Sequence, residues 1–326
     1  MLEKEILIIG IGNFKNKLNE IFETNDISKI QSLYGEESCF VKAALIMRAG
    51  GINKYNILNV DSWENLLECK DMLVDYRFDY VVPLEMMIDE KYFDEYYGKE
   101  LCYGQLLALL LNSTISTIVF TGKHASVYED MDTFLKEENA RLNRCMHRFS
   151  NLVRENVIYV ANNLSNVVYA NIATATMLVN ADYDKYPVVP TIYGPAIFDI
   201  YYPDVENKLV YFRNNHLTGT TIENLVNFST NKVSGLVPVH KIIKYFFYHK
   251  PDHEQFIGKA FTEYRKMRIQ EELIIFLESL KNWIIYDYKI DGITVVSSET
   301  GSVDVILRYD IWPKFTTEKY TLEVSL

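Results

Sequence analysis

From Ile6 to Val179, short apolar runs alternate with stretches of helical spacing, and few architectures accommodate that alternation. The runs Ile6 to Ile9, Tyr55 to Val60, Phe78 to Val82, Thr117 to Thr121 and Val157 to Ala161 are strand-length. Glycine or proline closes several of them. Between them lie segments that read as helices: Asn25 to Leu33 with Asp26 placed to cap it, Cys39 to Ala49 ended by Gly50-Gly51, and Trp63 to Asp75 behind Asp61-Ser62. Leu101 to Leu111, Met131 to Arg148 and the Ala/Thr-rich Val167 to Val179 continue the series. Strand and helix in alternation predict an α/β class, with a mainly parallel sheet flanked by helices.

Past the proline-marked crossing of Pro187, Pro190, Pro195 and Pro203 the pattern changes. The expected division is therefore an α/β domain over 1–200 and a C-terminal α+β domain over 201–326. Short strands over Leu209 to Phe212 and within Leu236 to Tyr248 should surround a helix starting at Thr220-Thr221-Ile222-Glu223. A long helix follows, because Ile269, Leu273, Phe276, Leu277, Leu280, Trp283 and Ile284 share one helical face. Gly292 and Gly301 then punctuate alternating strands, first Val303 to Asp310 and finally Tyr320, Leu322, Val324 and Leu326. A terminal strand at a sheet edge leaves backbone groups unpaired unless its own sheet or another subunit covers them.

The charge balance is acidic, −11 with a pI near 5.1, which is the wrong sign for a duplex-binding surface. The basic groups Arg141-Arg144-Arg148 and Arg265-Lys266-Arg268 read as solvated helix faces. Tyrosine is abundant, 24 of 326 residues, as interfaces and biased composition both allow. Cys39, Cys69, Cys102 and Cys145 are widely spaced, against both a zinc site and a disulfide framework. No secretory signal is expected, since a four-residue apolar run lies between Glu5 and Gly10. Leu106 to Leu111 is too short to cross a bilayer, so no membrane insertion is expected.

Catalytic readings fare poorly. Gly10-Ile11-Gly12 follows a strand, as a dinucleotide loop would, but Lys15 stands where that loop needs its third glycine. Thr121-Gly122-Lys123 has Thr117 in place of the first glycine of a phosphate loop. His249, Asp252, His253 and Glu254 could ligate a metal, but Pro251 breaks the helix that would align the histidines. His124, Ser126 and Asp130 lack the context of an activated nucleophile. The acid pairs Glu36-Glu37, Glu137-Glu138 and Glu271-Glu272 read as surface. No catalytic residue, cofactor or metal site is expected.

In their order these segments resemble the contractile phage tail sheath family. The opening strand Ile6 to Ile9 with Gly10, then Thr24-Asn25-Asp26-Ile27 leading to Leu33-Tyr34-Gly35, resembles the start of the sheath core. Val41 to Val60 is similar to the helix, Gly-Gly turn and strand that follow, with Asn59 where that pattern has arginine. Val167 to Pro187 is similar to the family's alanine-rich helix and its closing proline turn. Leu217 to Leu225, the long helix and the strand at Gly301-Ser302-Val303 resemble the C-terminal part, although Phe228-Ser229-Thr230-Asn231 replaces a Gly-Val-Asn turn.

The resemblance implies a structural, non-enzymatic virion subunit. It would form six-fold rings or a helical polymer around a tail tube protein and join baseplate or terminator proteins. It would bind no nucleic acid directly and would be assembled in a host cytoplasm. It also implies strand exchange through Tyr320, Leu322, Val324 and Leu326, and a tube contact through Arg265, Lys266 and Arg268. Family members carry an N-terminal arm before the first core strand, and Met1 to Glu5 leaves almost none. A single-ring or cap protein at a tail end is therefore an alternative to the main sheath. Two other classes remain open: an α/β nucleotide-binding enzyme using the Gly10–Gly12 loop, and a monomeric assembly chaperone.

Overall fold

A computed structural model describes residues 5–12, 16–76, 78–94, 98–111, 116–149, 154, 156–180, 189–200, 208–225, 227–228, 262–281, 285–297, 303–313 and 320–325. The chain divides into two compact units. Unit 1 comprises Met1–Ala181 and Pro187–Gly235, and unit 2 comprises Asp182–Tyr186 and Leu236–Leu326. The boundary expected near residue 200 is thereby corrected, because the strands that follow it continue the first sheet instead of starting another.

Unit 1 is built on β1 (Ile6–Gly10), β2 (Ile21–Thr24), β3 (Tyr55–Asn59), β4 (Tyr80–Pro83), β7 (Thr117–Thr121), β8 (Val157–Val160), β9 (Leu209–Asn215) and β10 (Gly219–Glu223). The sheet order is β10-β9-β8-β7-β4-β1-β3-β2. Pairings from β9 through β3 are parallel, while β2 and β10 close the two edges antiparallel. A separate hairpin pairs β5 (Lys91–Asp94) with β6 (Lys99–Cys102).

The helices are α1 (Ile27–Tyr34), α2 (Cys39–Ala49), α3 (Lys70–Asp75), α4 (Tyr103–Leu110), α5 (Met131–Met146) and α6 (Ala170–Asn180). Asp26 does cap α1, its carboxylate accepting from the Ser28 amide at 2.9 Å. The helix expected over Trp63 to Asp75 is instead a 3-10 turn, Glu64–Leu67, followed by α3. The helix expected at Thr220 is strand β10. Its Thr-x-x-Glu pattern looks like a helix start, but pairing with β9 from Gly219↔Asn215 to Glu223↔Tyr211 wins.

Strand alternation sorts two cores. Leu7, Ile9, Leu58, Val81, Phe120, Val157 and Tyr159 join one apolar cluster with Leu73 of α3, Leu107 of α4 and Phe134 of α5. The intervening Ile6, Ile8, Ile57, Val82, Val119 and Ile158 are also buried, on the face that α2 and α6 cover. Helix α6 is buried from Ala170 to Val179, and its alanines and threonines let α2 approach closely. Gly50, at the end of α2, makes room for that approach. A Cβ there would lie 2.2 Å from Thr176 Cγ2 and 2.5 Å from the Tyr193 hydroxyl.

Unit 2 contains α7 (Glu263–Lys281) and an antiparallel sheet, β11 (Ile285–Ser297), β12 (Val303–Pro313) and β13 (Tyr320–Ser325), in the order β11-β12-β13. Its architecture is the long helix and antiparallel strands that the sequence predicts. Strands expected within Leu236 to Tyr248 lie outside the described residues.

Candidate assembly surface

In an open α/β sheet, ligands enter at the carboxyl ends of the strands where the chain reverses its direction of travel. Here β1 is flanked by β3 and β4, so that place is the Gly10–Gly12 loop. It is filled. The Asn59 side chain accepts from the Gly12 amide at 2.8 Å and donates to the Asn16 carbonyl at 3.0 Å. The two glycines lie against the Phe40 ring, which a Cβ at Gly10 would meet at 2.9 Å. They serve close packing, and they aim no cradle of amides at a phosphate.

The other sequence candidates in unit 1 resolve similarly. Gly122 faces the Glu138 carboxylate, the opposite of an anion site. His124 caps a 3-10 turn, with Nδ1 2.6 Å from Ser126 Oγ and Nε2 2.8 Å from the Leu164 carbonyl. Asp130 caps α5, accepting from the Thr133 amide at 2.8 Å, so the three residues form no triad.

The basic group on α5 is not a solvated face throughout. Buried Arg141 and exposed Arg144 both bind Asp89 at 2.9 Å, and Arg148 reaches the Cys102 sulfur at 3.2 Å. Glu138, expected on the surface, is fully buried. All four cysteines are buried free thiols, and burial pushes Cys39 up to about 12. Among the described residues no His, Cys, Asp and Glu group could hold a metal. His249, Asp252, His253 and Glu254 lie outside them. No described helix is long and apolar enough to cross a membrane.

Unit 2 offers a different kind of surface. Ile269, Leu273, Phe276, Leu277 and Leu280 of α7 are buried, as their spacing predicts, and the helix packs on β11. A second apolar row, Tyr264, Met267, Ile274 and Ile275, is exposed on the same helix. Lys281 ties the helix to the strand, with Asp287 at 3.0 Å and the Tyr288 ring centroid at 5.8 Å. Tyr288 donates to Glu278 at 2.8 Å; desolvation and that carboxylate push its hydroxyl up to about 12.

Central strand β12 pairs with β11 from Ile285↔Pro313 to Ser297↔Val303, through irregularities at Ile285/Asp287 and Ile290/Gly292. Its other edge pairs with β13, from Ile306↔Ser325 to Ile311↔Tyr320. Tyr320, Leu322 and Val324 therefore sit opposite Ile311, Tyr309 and Leu307 of their own chain. Leu326 lies outside the described residues. A side-chain bond reinforces the ladder: Thr321 Oγ1 donates to the buried Asp310 at 2.6 Å.

Among the described residues, no strand pairs with the outer edge of β11 or β13. Arg265, Lys266 and Arg268 lie in the first turns of α7; Lys266 is 3.9 Å from Glu263, and Arg268 is exposed. Such a surface can accept backbone hydrogen bonds from added strands and can bury an apolar helix face.

No protein-family model matches the chain, and no curated protein matches it in sequence. Solved structures do match. One is the PVC sheath complex of an extracellular contractile injection system in its contracted state: TM-score 0.63, 11% identity, 98% of this chain and 92% of that one. Another is the contracted helical sheath of the anti-feeding prophage: TM-score 0.60, 9% identity, 99% of this chain and 93% of that one. A third is the sheath tail protein of Listeria innocua, at TM-score 0.59 and 10% identity over 100% of this chain and 95% of that one. The chain has the sheath fold. The sheath-like pattern in the sequence, from the opening strand through the alanine-rich α6 to the final strands, is thereby borne out as architecture. The residue the sheath pattern did not supply, Asn59, is the one that closes the carboxyl-end crevice.

Proposed function

We propose that this chain is a structural subunit of a contractile tail sheath, assembling with copies of itself around an inner tube. The carrying observation is the end-to-end match of both units to proteins solved within contracted sheaths. The edges of β11 and β13, unpaired among the described residues, support it, because a neighbour's strand can extend such a sheet through main-chain hydrogen bonds. In this reading β13, with Tyr320, Leu322 and Val324, is the exchanging strand. Pairing with β12 of its own chain is the arrangement of a lone subunit, and a neighbour's β12 offers the same register.

Arg265, Lys266 and Arg268 would face the tube protein, and baseplate or terminator proteins would hold the ends. The particle is a virion tail or a related injection machine, assembled in a host cytoplasm. The subunit turns over no substrate, and the filled loop at Gly10–Gly12 supports that part of the reading.

Electron microscopy of the purified full chain tests the proposal. Tubes mark a main sheath, and isolated rings mark an end ring. Monomers that persist at high concentration, with nucleotide-dependent melting, would overturn it in favour of an enzyme.

A further inference from the structure

Helix α5 carries a carboxylic acid into the interior of unit 1. Glu138 is 0% exposed, and neither of its oxygens completes a hydrogen bond. The Arg141 Nε and the Tyr159 hydroxyl beside it are likewise buried without hydrogen-bond partners. The acid and the phenol meet over Gly122, at the carboxyl end of β7. A Cβ on Gly122 would lie 2.2 Å and 2.5 Å from the two Glu138 oxygens and 2.6 Å from the Tyr159 hydroxyl. Glycine is therefore what admits the acid.

The charges around it decide its state. On α5 itself, Arg141 Nε lies 3.8 Å from Glu138 Oε1, while its NH1 is already committed to Asp89 at 2.9 Å. Asp89, on the segment after β4, repels Glu138, as does Glu137 on α5. Tyr159 on β8 and Tyr128 before α5 are phenols whose own ionisation burial suppresses. A fully buried carboxylate normally needs two or three donors to stay ionised. Glu138 has a half-shared guanidinium beyond hydrogen-bond reach and one phenol.

We propose that Glu138 is a proton-binding site: a neutral acid in the folded unit, whose ionisation weakens the seat of α5 on the sheet. Burial, the largest influence, raises it from the ordinary 4.5 to about 7, against the smaller pull of Tyr159 and Arg141. The folded chain thus holds a proton that the unfolded chain releases. The stability due to this group is complete below about 4.5 and is lost as pH rises through about 7.

The test is thermal unfolding of the full chain at about pH 6 and about pH 8, beside Glu138→Gln, with infrared spectra of both. The wild-type midpoint should fall between the two conditions relative to the variant, and the difference should correspond to about half a proton averaged over that interval, because folded Glu138 passes through its own titration there. A protonated-carboxyl band should be present at the lower pH, fade toward the higher, and be missing from Glu138→Gln. Identical pH dependence in the two proteins overturns the proposal, as does a wild type without that band. Should Glu138→Gln fail to fold, Tyr159→Phe serves: removing the hydroxyl beside the acid, whose pull favours the charged form, moves the fading of the band to higher pH. A band whose fading is unmoved in Tyr159→Phe overturns the proposal as well.

Discussion

The two units handle their sheet edges in opposite ways. In unit 1 the parallel strands are bordered by short antiparallel ones, β2 and β10, and both faces are covered by helices. Its crevice at β1 is stoppered by Asn59. In unit 2 three strands form the entire sheet among the described residues, so two of the three are edges, and α7 carries an exposed apolar row. Edge strands of 4 and 5 residues, as in unit 1, offer a neighbour little to pair with, whereas the 13 residues of β11 invite another strand. The contrast makes the sheet of unit 2 the better template for an added strand.

Removing residues 316–326 should cut that contrast most deeply. It takes away β13, and tubes or rings should disappear from electron micrographs while the circular dichroism of unit 1 persists. Polymers that survive the deletion would shift the linkage to another surface. Leu277→Ala, in the core of α7, should cost about 3 kcal/mol. Hydrogen exchange should place the loss in unit 2 and leave amides of β1 and β4 protected. Asn59→Ala should cost about 2 kcal/mol, because the Gly12 amide loses its acceptor and the Asn16 carbonyl its donor. Denaturant titration reads that loss, and nucleotides should bind neither protein. Thr321→Val should cost about 1 kcal/mol by removing a single bond to Asp310, with assembly weakened and unit 1 untouched.

Much of this architecture is legible in the chain because periodicity reports local burial. Ile6 to Ile9, Cys39 to Ala49 and the stripe on α7 all announce themselves. What hides does so for physical reasons. Strand β2, Ile21–Thr24, is too short to show alternation and exists through its antiparallel register with β3. The β5–β6 hairpin carries Lys91, Lys99 and Glu100, which look like loop residues. Thr220 to Glu223 fits a helix start locally, and only its partner strand makes it extended. Glu138 follows Glu137 on a charged helix and reads as surface. Its burial depends on the missing side chain of Gly122, a relation that no spacing along one helix reveals.

The Asp310–Thr321 bond sets a condition on any strand that lies against β12. Asp310 is an interior carboxylate, and a newcomer without a donor opposite it forfeits about 1 to 3 kcal/mol. Copies of this chain bring threonine to that register automatically, while foreign peptides of similar hydrophobicity do so only by chance. Fidelity of polymer growth would then draw on that hydroxyl, a password repeated by every subunit that joins.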